Sequence, residues 1–345
     1  TSERKGYDLS ILTAQSALDE NRYTEAREVL ETCPPDYRDW EWGRLSLALD
    51  RIQSSAQLGT GGLSFAEMSP DGRHILTLGS KGALDLWSLP TMAHVQTYQS
   101  IAAGAWESAF RPDGDEFAVH QTGRGVVRWR GAASDPIASY ALETGAEGNA
   151  LAYSPDGRYL VAGAADGVIY QWALSGGGPV RTLTSESKYL NAMAFSPDGR
   201  WLVSAGDSGR VQIWDWEKGE AVQILEAHLI NLQTGAQGAL CSVFSPDGRL
   251  LATAGCDATV KLWDTHDWSL RSTFSSHTKK VVGVAFSPDS ALLASHSERT
   301  VRIWDVQTGI EWPTWVRCDQ NIRRAQFLPN GRDLVTVEGS ARATL

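Results

Sequence analysis

An all-β ring of seven like units, led by a short helical segment, is the architecture the sequence predicts, and three observations predict it. The tetrapeptide Ser-Pro-Asp-Gly and its variants begin at Ser69, Arg111, Ser154, Ser196, Ser245, Ser287 and Leu328, at spacings of 42, 43, 42, 49, 42 and 41 residues. About 18 residues after each of the first six copies stands a tryptophan: Trp87, Trp129, Trp172, Trp214, Trp263 and Trp304. The composition is rich in the same two residue types, with 14 Trp and 33 Gly, as repeated tight turns joining aromatic-anchored strands require.

Each element of the unit has a physical reason. Pro at the second turn position presets φ, Asp can bond its own backbone, and Gly accepts the positive φ that ends the turn, so each copy joins two antiparallel strands. A short apolar strand precedes the turn (192–195, 281–286) and another follows it (250–254, 292–295). A small-residue turn leads to the strand ending in Trp, and a polar outer strand such as 221–225 completes the four. A spacing near 42 residues is that of a four-stranded blade, and seven blades closed into a ring bury each face against a neighbour.

Three of the tryptophans read Trp-Asp at a strand end, in Val-Gln-Ile-Trp-Asp, Val-Lys-Leu-Trp-Asp and Val-Arg-Ile-Trp-Asp. On these residues and the seven phased turns, the chain resembles the WD-repeat β-propeller family over roughly residues 51–345. The resemblance implies a seven-bladed β-propeller that binds partners rather than a catalyst. It also implies a buried His, Ser or Thr, Asp and Trp network, which this sequence keeps in part. Blade five matches with Thr253, Asp257 and Trp263, with His228 a candidate fourth member displaced by an insertion. Blade six matches with His277, Ser295 and Trp304, while Glu298 sits near the Asp position and the turn is one residue short. Blades one to three lack the His. These residues are read as scaffolding.

The seventh copy leaves room for only two further strands, 333–338 and 340–345, and Thr344 stands where the last Trp is expected. Residues 51–57 lie before the first turn as outer strands lie before later ones, so they are expected to supply the missing strand of the last blade. The expected domains are therefore 1–50, a helical hairpin or cap, and 51–345, the propeller. In the first, Leu9, Leu12, Ala14, Ala17 and Leu18 form one 3.6-period stripe, Asn21 interrupts, and Ala26, Val29 and Leu30 form a second before Cys33-Pro34-Pro35. A third short helix is expected after Asp36 with Trp40, Trp42, Leu45 and Leu49. A single hairpin of this kind cannot bury its own apolar face, so it either docks on the propeller or ends a longer helical region. The segment from Ala17-Leu18 through Ala26-Arg27, Leu30 and Cys33-Pro34 to Arg38-Asp39-Trp40-Glu41-Trp42 resembles the helical lead-in to WD-repeat regions of large bacterial signalling proteins, notably planctomycete-type serine/threonine kinases. None of the kinase motifs themselves is present, and the chain is expected to be a piece of something longer because it begins without Met.

Charge and composition narrow the function classes. Thirty-one Lys and Arg against 41 Asp and Glu give a net charge of -10, and basic residues cluster only as pairs such as Lys279-Lys280 and Arg323-Arg324. No nucleic-acid partner is expected, since that would need a basic patch. No stretch approaches the ~18 apolar residues of a membrane helix, so no membrane insertion is expected. Cys33, Cys241, Cys256 and Cys318 show neither CxxC pairs nor metal spacing and read as free thiols of a reducing, cytoplasmic compartment. The seven histidines are scattered, no Gly-x-Ser-x-Gly elbow occurs, and Gly176-Gly177-Gly178 lacks the Lys-Ser/Thr of a phosphate loop. No metal, cofactor or catalytic residue is expected. The alternative is a propeller enzyme whose carboxylates from several blades meet in an acid/base site over the central channel.

The expected function is a non-catalytic scaffold or sensor that binds a protein or peptide on the face made by loops entering the innermost strands. Aligning the blades on their turns puts Trp106, Asn149, Tyr189, Asn191, Lys280, Asn321 and Arg323 on that face, and Trp, Tyr and Arg are enriched in binding hot spots. The 49-residue spacing marks an insertion in blade five, 229–235, on the same face, which adds Asn231 and Gln233 as candidates. Loops that add length without repeating structure are disproportionately functional.

Overall fold

The turns that set the repeat also set the geometry of the chain, seen here in a computed structural model. It describes residues 2–19, 23–34, 55–58, 61–89, 91–98, 105–121, 124–142, 150–164, 166–176, 179–229, 238–312, 316–318 and 320–344. In the first turn the Ser69 hydroxyl donates to Asp71 (2.6 Å) and accepts the His74 amide (2.9 Å), while the Asp71 carboxylate takes the Arg73 amide at 3.0 Å. The same three bonds recur at Ser154, Ser196, Ser245 and Ser287. The turn ends in the left-handed region, at φ +67° for Gly72, and in blade six a serine, Ser290, is held there at +63°.

Adjacent turns also touch. A Cβ on Gly72 would come within 2.4 Å of the Pro329 ring, and one on Gly114 within 3.0 Å of Asp71. Gly199, Gly248 and Gly331 face Pro155, Pro197 and Pro288 more loosely, a Cβ there coming to ordinary contact at 3.7–3.9 Å. Arg111, where other copies have Ser, sends its guanidinium to the Gly157 carbonyl (3.2 Å), and the Asp247 amide donates to the Ser290 hydroxyl (3.2 Å). Every turn is thereby in contact with the next around the ring.

Each turn joins the inner two strands of a four-stranded antiparallel sheet, and there are seven such sheets. The inner strands are Leu63–Met68, Ala105–Phe110, Ala150–Tyr153, Leu190–Phe195, Ala239–Phe244, Gly283–Phe286 and Ile322–Phe327. Six blades run in simple sequence order; the seventh is ordered Ser55–Gln57, Arg342–Thr344, Leu334–Glu338, Ile322–Phe327 from outside in. The Leu58 amide donates to the Ala341 carbonyl at 2.5 Å and the Gln57 side-chain amide to the Ser340 carbonyl at 2.7 Å. Residues 51–54 lie outside the described residues.

The core lies between blades. Leu76, Leu78, Leu84 and Tyr98 of blade one pack on Phe117, Val119 and Trp129 of blade two, with the Phe117 and Trp129 rings stacked 5.7 Å apart. Similar clusters join each later pair through to blades six and seven, where Ala294 and Val301 meet Ile322 and Ala325. Blade two breaks the pattern with charge: Glu116, 1% exposed, pairs with Arg128 at 2.5 Å, with Arg111 at 3.5 Å and with Arg130.

Among the described residues two helices come before the ring in sequence, α1 (Ser2–Asp19) and α2 (Tyr23–Glu31). Their contact face is Tyr7, Ile11, Ala14 and Ala17 against Ala26, Leu30 and Cys33. The expected stripe is thus corrected at two positions: Leu9 and Leu12 are 65% and 67% exposed, and Tyr7 and Ile11 take the buried places. The alanines fit either stripe, and a Tyr7-Ile11-Ala14-Ala17 seam buries a bulky end while letting the helices approach closely at the small residues. The side chain of Leu18, the Asn21 break and the expected third helix fall outside the described residues.

Candidate interaction site: the channel and its loop face

The side chains that alternate along an inner strand at two and four residues before each turn line the space at the centre of the ring. Six of the blades supply Phe65 and Glu67, Glu107 and Ala109, Ala150 and Ala152, Ala192 and Ala194, Cys241 and Val243, and Arg324 and Gln326 to one channel of about 480 Å³. One wall, from blades seven, one and two, is charged; the opposite wall, from blades three to five, is alanine, valine and cysteine. Pro70 lies toward the turn end of this lining, and Asn191, Val282 and Arg323 toward the loop end.

On the charged wall Arg324 donates to Glu67 at 2.8 Å and to no other acid among the described residues. Burial raises the Glu67 carboxyl above its ordinary range although Arg324 pulls it down. Glu107 makes no ion pair among the described residues. Burial, and then the charge of Glu67, push it up to about 8 against the pull of Arg324 and the Ser108 amide. Burial works against the Arg324 cation, yet Glu67, Cys241 and Glu107 hold it above the ordinary arginine value. Burial raises the Cys241 thiol, with the Val284 amide and Arg324 opposing. Behind Arg324, burial, then Arg324 and His277, push His296 down to about 3. The channel therefore holds Arg324 bonded to Glu67, a second carboxyl, Glu107, that keeps its proton past neutral pH, and a thiol whose proton burial helps to hold.

The loop-face candidates divide three ways. Tyr189 is 46% exposed on the entry to the blade-four inner strand, its backbone fixed by Asp207, whose carboxylate takes the Tyr189 amide (3.3 Å) and whose amide donates to the Tyr189 carbonyl (3.0 Å). Lys280, Asn321 and Arg323 are exposed at the corresponding entries of blades six and seven. Asn191 is partly committed to the fold, since its side-chain amide donates to the Ala239 carbonyl of blade five at 2.9 Å. The side chain of Trp106, and Asn149, Asn231 and Gln233, lie outside the described residues.

The scaffold residues meet as hydrogen-bonded sets. In blade five, His228 Nε2 is 2.9 Å from the Thr253 hydroxyl and Nδ1 is 3.0 Å from Asp257, and the Trp263 indole donates to Thr253 at 3.1 Å. In blade six the His277 Nε2 and the Trp304 indole both reach the Ser295 hydroxyl at 2.8 Å. Blades one and four keep only the last link, Trp87 to Thr77 and Trp214 to Ser204, each 2.9 Å. Among the described residues no group of His, Cys, Asp or Glu is arranged to hold a metal ion, and no helix is long and apolar enough to cross a membrane.

Sequence reasoning named the loop face but not Glu67, Glu107 and Arg324. The signal was present: at the paired positions before each turn, blades three to six carry only Ala, Gly, Cys and Val, and three charged residues fall in adjacent blades.

With the ring and its channel in place, a comparison with family models bears on the fold. The model described as the nucleolar protein 10-like, N-terminal domain, a β-propeller, matches residues 137–340. The chain belongs to this β-propeller family. The match begins at the outer strand of blade two and runs through blade seven, and the seven-bladed, WD-repeat-type architecture agrees with it. A search of curated proteins returned no match.

Proposed function

We propose that this propeller is a non-catalytic interaction module that binds a protein or peptide on the loop face around the channel mouth. The observation that carries the reading is the exposure of Tyr189, Lys280, Asn321 and Arg323 at the entries to inner strands. A half-exposed tyrosine on a pinned backbone offers a rigid apolar contact at low entropic cost, and an arginine on blade seven of the same face offers directional donors. A net charge of -10 favours a protein over a nucleic-acid partner. The helical lead-in supports the further reading that the module serves a larger bacterial signalling chain in the cytoplasm, which the reading frame upstream of Thr1 tests directly.

Affinity capture from lysate of the source cells tests the binding face. Proteins retained by the wild-type chain are expected to fall about tenfold or more with Tyr189→Ala/Arg323→Glu, and to persist with Arg332→Glu, an exposed residue on the opposite, turn-bearing face. Equal retention by both variants overturns the loop-face reading. The propeller-enzyme alternative gains support only from turnover that disappears with Glu107→Gln.

A further inference from the structure

The channel holds chemistry that the loop-face reading does not use. Two carboxylates, Glu67 and Glu107, face one internal cation, Arg324, and that cation is already bonded to Glu67 at 2.8 Å. Glu107 is left on the wall with no ion pair among the described residues. Across from it the wall is small and apolar: Ala152, Ala194 and Val243 leave the space that larger side chains at these positions would fill. The volume, about 480 Å³, lies within the ~300–1,000 Å³ of small-ligand sites.

We propose that the channel is a receptor for a compact cation on an apolar stem, an alkylammonium or alkylguanidinium group whose charge is received by Glu107 and whose stem lies on the alanine wall. A neutral ligand takes from Glu107 no more than a hydrogen bond, whereas a cation gains an ion pair with it. An anion meets two carboxyls and an arginine already neutralised. A cation completes the set as two acids and two bases in alternation, Arg324, Glu67, ligand and Glu107, on a partly buried wall. Arg323 at the loop-face rim is exposed and opposes entry only weakly through solvent, and at the end near Pro70 the cation on the wall is Arg324, already paired with Glu67. The inference is independent of the loop-face reading. The same group is offered by a free amine and by a lysine or arginine side chain inserted from a partner.

Proton linkage makes the inference testable in a way that a merely structural Glu107 does not mimic. Glu107 is protonated in the empty channel and ionised against a bound cation, so binding releases a proton and affinity rises with pH up to about 8. The groups facing it are Glu67, Arg324 and Cys241, and neither Arg324 nor Cys241 changes charge below that pH. The probe is agmatine, titrated calorimetrically into the full 345-residue chain at pH 7 in phosphate and in Tris.

The expected result is saturable binding of one agmatine with close to one proton released, seen as a buffer-dependent heat. Affinity should fall up to tenfold per pH unit below 8. Glu107→Gln is expected to weaken binding at least tenfold and to abolish the buffer dependence. Ala194→Leu, which fills the apolar wall without touching charge, is expected to weaken binding while leaving proton release unchanged, and it serves if the glutamine variant fails to fold. Binding of N-acetyl-arginine methylamide as tight as agmatine assigns the site to an inserted side chain, and binding of agmatine alone assigns it to a free amine; both sustain the inference. No saturable heat up to ~10 mM, binding unchanged in both variants, a buffer-independent heat, or preferential binding of inorganic phosphate overturns it.

Discussion

Blades five and six are built on the same strand pattern and differ by one residue in the turn between their second and third strands. In blade five that turn carries Asp257, which meets His228 at 3.0 Å and the Thr259 hydroxyl at 2.8 Å, so both ring nitrogens of the histidine have partners. In blade six the shortened turn carries Glu298, which is exposed, and His277 Nδ1 is buried with no partner among the described residues. The carboxyls and imidazoles respond accordingly. Burial pushes the Asp257 carboxyl up, but the His228 bond and charge and the Thr259 bonds outweigh it and hold it at about 2. Burial, with Arg302 adding to it and Glu311 opposing, pushes His277 down to about 4. The carboxylate that completes one network keeps its charge to low pH; without it, the other network holds a neutral histidine, and acid favours the unfolded chain.

Acid should separate the two blades most. Both buried histidines of blade six, His277 near 4 and His296 near 3, have folded values below the ~6.5 of an unfolded chain. The unfolded state therefore takes up protons first, so their contribution is complete above pH ~6.5 and is lost as pH falls toward 4, at up to ~1.4 kcal/mol per unit for each histidine. Urea midpoints at pH 7 and 4.5 should differ by several kcal/mol in the wild type and by clearly less in His277→Gln/His296→Gln. An equal acid loss in both chains would remove the histidines from the account.

The next largest effect is the loss of the completed network. His228→Ala strips partners from Thr253 and from the Asp257 carboxylate together, which should cost about 3 kcal/mol at pH 7 in thermal or urea unfolding. A loss below 1 kcal/mol would mean that water replaces the imidazole. The smallest effect is a gain. Lengthening the blade-six turn by one residue and placing Asp at the position equivalent to Asp257 should stabilise by about 1 kcal/mol, and the gain should vanish when His277 is also replaced by Gln. Amide exchange in 292–305, compared with 250–264, reports whether the repaired blade has become as protected as its neighbour.

How much of this was legible in the sequence depends on the range of the interaction concerned. Turn chemistry is local, so Ser-Pro-Asp-Gly and its following Trp specified strand pairs, blade number and ring. The insertion after His228 did not hide its role, because Thr253, Asp257 and Trp263 left one vacancy that a histidine fits. The helical stripe misled because alanine belongs to either face, and only packing against Ala26 and Leu30 distinguishes Ile11 from Leu12. The charged channel wall was hidden for another reason. Glu67 and Arg324 are 257 residues apart and become neighbours only when the ring closes. Nothing local makes a glutamate two residues before a turn differ from any exposed one until the blades are superimposed.

The hoop of touching turns has a bearing on how such a ring changes its blade number. Each unit carries its own plug, a proline or aspartate, for the next turn and its own socket, a glycine or Ser290, for the previous one. A duplicated unit therefore brings both halves of every joint it needs and can be spliced between any two others without redesigning either. In blade two the residue at the serine position, Arg111, makes this joint, its guanidinium donating to the Gly157 carbonyl. The collar acts as an assembly standard: it lets individual blades drift in their networks, channel residues and loops while their pitch around the axis stays shared.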